Sequence, residues 1–261
     1  MQRTPETTAF SGAPFAERAV AALRAAGAGL LDLVFPMTCV GCGGAPEPGR
    51  NLCWECSRTI RFQSSEGFCP RCGREYPGMD GATLCGACAR HPPAYDLARS
   101  AAHFGGVVRE LVHGLKYHEG EHLVPDMADL LEAAVARHYA GERIDFVCPV
   151  PLHGSRRRKR GFNQAALLAG ELARRLGVEI FPRALARIRD TPTQTHLGAD
   201  ERRRNVRGAF EPNPLFEGWF TGRTALLVDD VMTTGATLSE AALALRRAGA
   251  ARILALTVAR D

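Results

Sequence analysis

Eight of the nine cysteines fall in four C-x-x-C pairs, Cys39/Cys42, Cys53/Cys56, Cys69/Cys72 and Cys85/Cys88. This spacing constrains the first third of the chain more than any other feature. Two residues between thiolates let both sulfurs of a tight turn face one tetrahedral ion at about 2.3 Å, and a second such turn closes a four-sulfur structural zinc site. The pairs therefore predict two zinc ions. Ten residues separate Cys42 from Cys53 and twelve separate Cys72 from Cys85, so pairing in chain order gives two successive zinc ribbons, while an interleaved, cross-braced pairing satisfies the same spacing. Gly41, Gly43, Gly73 and Gly86 suit metal turns, because glycine reaches backbone conformations that strain other residues. A secreted disulfide domain would also carry an even cysteine count, but four regular C-x-x-C pairs favour metal. A redox C-x-x-C predicts one pair and not four. Closed four-thiolate sites leave no open coordination position, so structure or partner binding is expected of this module. Cys148, alone in the apolar run Phe146-Val147-Cys148, reads as a small core residue.

The 261 residues leave room for one α/β domain beyond the cysteine module. Hydrophobic and charged fractions of 46% and 23% are those of an ordinary soluble protein. The apolar stretch Ala19 to Phe35 is broken by Arg24 and Asp32, which disfavours both a membrane span and a signal peptide. An amphipathic helix, a cytoplasmic protein and no membrane partner are expected. Residues 1–14, rich in Thr, Pro, Ser and Gly, have little to bury.

The strongest chemical signal is Ala225-Leu226-Leu227-Val228-Asp229-Asp230-Val231-Met232-Thr233-Thr234-Gly235-Ala236-Thr237-Leu238. Its apolar start suits a parallel strand buried on both faces, and the two acids leave that strand at its carboxyl end, where open α/β sheets place ligands. A small, hydroxyl-bearing loop then opens a helix over Leu238 to Ala248, with Leu238, Ala241, Ala242 and Leu245 on one face and Gly249 at its end. Unpaired N–H groups at a helix start hold phosphate, Thr233, Thr234 and Thr237 add hydroxyls, and Gly235 permits close approach. A Walker B strand would need a G-x-x-x-x-G-K-[ST] partner, and the sequence has none.

This motif resembles the phosphoribosyl pyrophosphate (PRPP) signature of type I phosphoribosyltransferases. The resemblance implies that Asp229 and Asp230 contact the ribose hydroxyls and that the loop from Thr233 through Thr237 cradles the 5-phosphate. The whole stretch, Asp229, Asp230, Val231, Met232, Thr233, Thr234, Gly235, Ala236 and Thr237, is then the PRPP-binding segment. From about Leu30 onward the chain resembles one branch, the ComF family, named for bacterial competence proteins involved in DNA uptake. The markers are Leu31-Asp32-Leu33-Val34-Phe35-Pro36, Leu115-Lys116-Tyr117, Pro149-Val150-Pro151-Leu152, Arg160-Gly161-Phe162-Asn163-Gln164, Thr193-Gln194 and Arg204-Asn205-Val206-Arg207-Gly208-Ala209-Phe210. Ile144 to Val150 reads as a second buried strand. After it come five basic residues, Arg156 to Arg160, and a helix over Phe162 to Leu176 with Phe162, Ala165, Ala166, Ala169, Ala173 and Leu176 on one face. Departure of pyrophosphate needs its charge neutralised, so Arg156, Arg158 and Arg160 are candidates for that contact, with Lys116 or an arginine of the 202–207 run as further cations and a magnesium ion bridging phosphate and ribose oxygens. Asp229, Asp230 and Arg160 are the expected catalytic residues.

Two signals carry less. His118-Glu119-Gly120-Glu121-His122 fits the H-E-x-x-H zinc protease pattern, but Gly120 weakens the required helix by about 1 kcal/mol relative to alanine. The basic clusters lack the interleaved aromatics of single-stranded DNA sites, offering only Phe162 and Phe210, so direct DNA binding has weak support. The expected architecture is an N-terminal tail and helix (1–35), a double zinc ribbon (36–92) and an α/β, mostly parallel phosphoribosyltransferase-like domain (93–261) with strands near 101–104, 145–150, 225–229 and 252–258. Three functions follow: a phosphoribosyltransferase using PRPP and magnesium, a non-catalytic PRPP-binding regulator, or a zinc-dependent adaptor in a DNA-uptake complex with a helicase as partner.

Overall fold

The apolar runs assemble into one five-stranded sheet. A computed structural model describes residues 37–64, 66–76, 78, 81–117, 120–191 and 198–261. The tail and helix expected over 1–35 lie outside these residues, as do His118, Glu119, Thr193 and Gln194. Strands β1 (Leu97–His103), β2 (Phe146–Pro149), β3 (Glu179–Ile180), β6 (Thr224–Met232) and β7 (Arg252–Arg260) are all parallel, in the spatial order β1-β7-β6-β2-β3. A separate antiparallel pair, β4 (Leu185–Arg187) and β5 (Phe210–Pro212), stands beside it. β3, β4 and β5 are too short to carry a periodic signal. The first strand begins at Leu97, four residues ahead of its expected start, because its polar members find partners inside the fold, although Arg99 Nε has none. Ser100 Oγ meets Thr257 Oγ1 at 2.7 Å, and Arg99 donates to the Ala98 carbonyl at 2.7 Å.

Helices α1 (Trp54–Arg58) and α2 (Gly86–Arg90) belong to the cysteine module, and α3 (Gly106–Tyr117) and α4 (Val124–His138) follow β1. α5 (Gly154–Arg160) and α6 (Gln164–Leu176) follow β2, α7 (Ala199–Val206) precedes β5, and α8 (Ala236–Arg247) joins β6 to β7. Each face of the sheet has its own core. Leu226 and Val228 of β6 pack with Leu131, Leu168 and Leu256 on one side, while Ala225 and Leu227 pack with Phe146, Phe220, Leu245 and Ile253 on the other. This two-sided burial explains the unbroken apolar run before Asp229, and truncating Leu226 or Leu227 to alanine costs about 2–5 kcal/mol. The buried face of α6 is Ala165, Leu168, Ala169, Leu172 and Ala173. Leu168 and Leu172 thus belong to that face and Ala166 does not, because the 3.6-residue period that puts Ala165, Leu168, Ala169 and Leu172 on one face turns Ala166 about 100° away.

Residues 39–261 form one compact unit, so the cysteine module is built into the sheet domain. Its residues 61–63 run antiparallel to the outer edge of β1, where Gln63 N–H donates to Ala101 O at 3.0 Å and His103 N–H to Arg61 O at 2.8 Å. Farther along that edge, Ala98 N–H reaches Arg71 O at 2.8 Å. The buried Asn51 side chain donates to Asp126 Oδ2 at 2.7 Å and to His122 O at 2.9 Å, tying the first cysteine turn to α4. Residues 93–96, which lead into β1, are fastened to α8: Ala94 N–H donates to Ser239 Oγ at 3.0 Å, and Arg246 reaches Ala94 O at 2.8 Å and Asp96 Oδ2 at 2.7 Å. Among the described residues, no helix is long and apolar enough to cross a membrane.

Candidate functional site

The cysteines gather in chain order, Cys39/Cys42/Cys53/Cys56 in one cluster and Cys69/Cys72/Cys85/Cys88 in another, which settles the pairing as sequential. Four sulfurs at 2.3 Å from a tetrahedral centre stand about 3.8 Å apart. Cys42 and Cys53 Sγ are 3.8 Å apart, as are Cys72 and Cys85 Sγ. The donor set and its spacing fit zinc. Both clusters repeat one local design. Cys53 N–H faces Cys39 Sγ at 3.3 Å and Cys85 N–H faces Cys69 Sγ at 3.4 Å, while Cys53 and Cys85 each cap the short helix that follows. Gly43 and Gly73 sit at φ of 75° and 70°, as metal turns demand. Gly41 serves a different purpose, since a Cβ there would come within 2.9 Å of Cys56 Sγ. A hydrogen bond from Cys88 and the nearby Arg260 guanidinium pull the Cys72 thiol down to about 4 against the opposing effect of burial. Cys148 is buried away from both clusters, and burial pushes its thiol up to about 12. It is inert core.

The carboxyl ends of β2 and β6 open into a cleft of about 380 Å³. Asp229 and Asp230 lie on its floor, and the whole segment from Asp229 to Thr237 lines it. Asp230, 6% exposed, is held by Lys116 Nζ at 2.8 Å and by Gln164 Nε2 at 3.2 Å. Arg160 in turn donates to Gln164 Oε1 and lies over the Tyr117 ring at 5.6 Å. One polar chain thus runs from α5 through α6 and β6 to α3. Asp229 has no such cation in contact. Burial, and then the charge of Asp230, push its carboxyl up to about 8.

After β6 the chain turns through Thr233-Thr234-Gly235 into α8. Gly235 has φ of 78°, and a Cβ on it would come within 2.6 Å of Met232 Cε and 2.7 Å of the Tyr95 hydroxyl oxygen. Only glycine fits this turn, for both reasons. Met232 is buried beneath the loop, and Thr234 Oγ1 accepts from Ala236 N–H at 3.4 Å. The helix starts at Ala236, two residues before its expected start, so its first N–H groups point into the cleft that Thr233 and Thr237 border.

The five-residue basic run is itself helical, not a connecting segment ahead of a helix. Arg156 and Arg160, one turn apart, therefore face the cleft together, whereas Arg158 is exposed and does not line it. Arg187 and Arg202, from β4 and α7, complete the cationic wall. Arg187 is buried, stacks at 5.4 Å over Phe210 and donates to Thr191 Oγ1 at 2.6 Å. Burial, and then the neighbouring Arg156, lower its pKa. Gln164 and Arg187 are the residues that sequence reasoning missed. Gln164 carried a signal, being an amide at the first helical position on an otherwise apolar buried face.

A double zinc ribbon domain matches residues 30–89, and a phosphoribosyl transferase domain matches residues 163–261. DNA utilization protein YhgH of Salmonella typhimurium is 35% identical over 205 residues, 77% of this chain and 87% of that protein. Competence protein F of Haemophilus influenzae is 32% identical over 233 residues, 87% of this chain and 98% of that protein. Adenine phosphoribosyltransferase of Saccharomyces cerevisiae aligns with 53% of this chain and 69% of its own, at 17% identity and a TM-score of 0.36.

Proposed function

Since the chain belongs to the ComF family of competence proteins, with a double zinc ribbon joined to a phosphoribosyl transferase domain, we propose that the cleft at the end of β6 binds PRPP with magnesium and transfers its phosphoribosyl group. The observation that carries this reading is the convergence of one acidic pair, one helix start and one cationic wall on a single cleft. Asp229 and Asp230 present carboxyl oxygens that accept from the two ribose hydroxyls. The N–H groups opening α8, with Thr233, Thr234 and Thr237, take the 5-phosphate, whose charge suits a helix start. Arg156, Arg160, Arg187 and Lys116 face the space left for pyrophosphate.

In the transfer, the bond from ribose C1 to pyrophosphate breaks, the electron pair leaves with pyrophosphate, and an acceptor nucleophile bonds to C1. Charge builds on the departing oxygen and on the ring, as in other oxocarbenium-like displacements. The arginines stabilise the first, and the Asp230 carboxylate, held by Lys116, the second. Bound magnesium would add charge neutralisation across the phosphate chain. The names of the relatives, competence and DNA utilisation, support an acceptor or a sensing role in nucleic-acid use. Calorimetric titration of the zinc-loaded chain with PRPP and magnesium tests the reading. Binding to the wild type that disappears in Asp230→Ala supports it, and no binding to a folded wild type overturns it.

A further inference from the structure

The phosphate loop has a second cavity behind it. Its volume is about 440 Å³, and its wall includes Thr234, Gly235 and Ala236, the same residues that border the cleft described above. α7 straddles the two spaces: Arg202 lines the cleft, whereas Arg203 and Arg204, together with Arg207 just beyond the helix, line the second cavity. Arg74 and Arg260 complete the basic side, next to Cys72 and Cys88 of the second sulfur cluster.

Charge accounting shows which of these cations are available. Zinc held by four thiolates carries two negative charges, and Arg74 and Arg260 stand in the field of those sulfurs. Asp200 is engaged by Arg203, and Glu240 accepts from Gly208 N–H at 2.9 Å. The five arginines of this wall outweigh its two carboxylates and the doubly negative cluster by one charge, and Arg204 and Arg207 are its exposed members, beside the Ser239 and Thr234 hydroxyls. Two arginines beside hydroxyl donors in a concave wall make a phosphate site.

We propose that this second cavity binds the phosphate chain of another small molecule, gripped by Arg204 and Arg207. Its volume accommodates a nucleoside diphosphate or a short polyphosphate, which share that chemistry. The partition between the cavities is one turn of backbone. The Tyr95 hydroxyl, which lines the second cavity, lies where a Cβ on Gly235 would meet it at 2.7 Å. Occupancy behind the loop therefore acts on the loop. This coupling, unlike the site itself, rests on the PRPP reading.

The test is calorimetric titration of the zinc-loaded full chain with ADP and, separately, with tripolyphosphate, in wild type, Asp230→Ala and Arg204→Ala/Arg207→Ala. The expected result is one probe site retained in Asp230→Ala and at least tenfold weaker binding in the double arginine variant, whose altered side chains are exposed and leave folding intact. Tighter binding of ADP assigns a nucleotide, and equal binding assigns a bare phosphate chain. Loss of all probe binding in Asp230→Ala, or unchanged binding in the arginine variant, overturns the site. Failure of PRPP to bind while the probes bind and respond to the arginine substitutions overturns the PRPP reading alone. A PRPP affinity that stays the same at saturating probe overturns the coupling.

Discussion

Asp229→Asn should make the protein more stable while weakening the proposed PRPP binding. The Asp229 carboxyl is moved from 3.8 to about 8, first by burial and then by the charge of Asp230. Below about pH 4 the folded and unfolded chains both hold this proton. Between about pH 4 and 8 the unfolded chain has released it and the folded chain retains it, so the stabilising linkage present at low pH is lost at about 1.4 kcal/mol per pH unit as pH rises. Three units, from pH 4 to 7, give a ceiling of about 4 kcal/mol, and local relaxation of the half-buried group brings the expected effect to about 3 kcal/mol. Asparagine keeps the shape and removes the ionisation. Urea unfolding of zinc-loaded wild type and variant at pH 5.5, 6.5 and 7.5 measures the difference, and zinc linkage, common to both chains, cancels. The variant's advantage should widen by about 1 kcal/mol per unit, approaching the single-proton limit. A difference that stays flat with pH, or a variant less stable at pH 7.5, would show that Asp229 is ionised in the fold and would refute the reasoning.

Other consequences are equally direct. Gly235→Ala places a methyl group into Met232 and Tyr95 at a φ of 78°, so a loss of about 1–3 kcal/mol and at least tenfold weaker PRPP binding are expected in thermal unfolding and calorimetry, and wild-type behaviour would contradict the loop geometry. Asn51→Ala strips the buried Asp126 of its closest donor and should cost about 2 kcal/mol in urea unfolding, whereas a change under about 0.5 kcal/mol would mean that water replaces the amide. Cys88→Ser should lower the zinc content measured by atomic emission from two ions per chain to one and reduce the melting temperature, and two retained ions would show that the second cluster does not need this thiolate.

The parts of the site that are contiguous in the chain were legible before any coordinates. The run from Ala225 to Thr237 carries strand, acids, turn and helix start in order, and the C-x-x-C spacing fixes ligand turns locally. What was not legible came from distance or from period. Arg187 and Arg202 reach the cleft from β4 and α7, brought there by topology that no local pattern encodes. The basic run from Arg156 to Arg160 reads as a uniform cationic patch until its helical period is applied, which selects Arg156 and Arg160 and turns Arg158 outward. β1 hid its first half because Arg99 and Ser100 looked too polar for a buried strand, and the partner that satisfies Ser100, Thr257, lies far away in sequence.

The pairing of residues 61–63 against β1 also bears on how the protein survives its own synthesis. β1 is one of the two edge strands of the sheet, and an uncovered strand edge is a template for intermolecular pairing. Here the cover is a segment between two metal knots, with Gln63 supplying both its backbone N–H and a side-chain oxygen that accepts from Ser100 N–H at 2.7 Å. A chain that has not yet acquired zinc leaves that edge bare. Metal supply therefore bears on solubility as well as shape, and zinc-stripped chain should aggregate faster than zinc-loaded chain in light scattering.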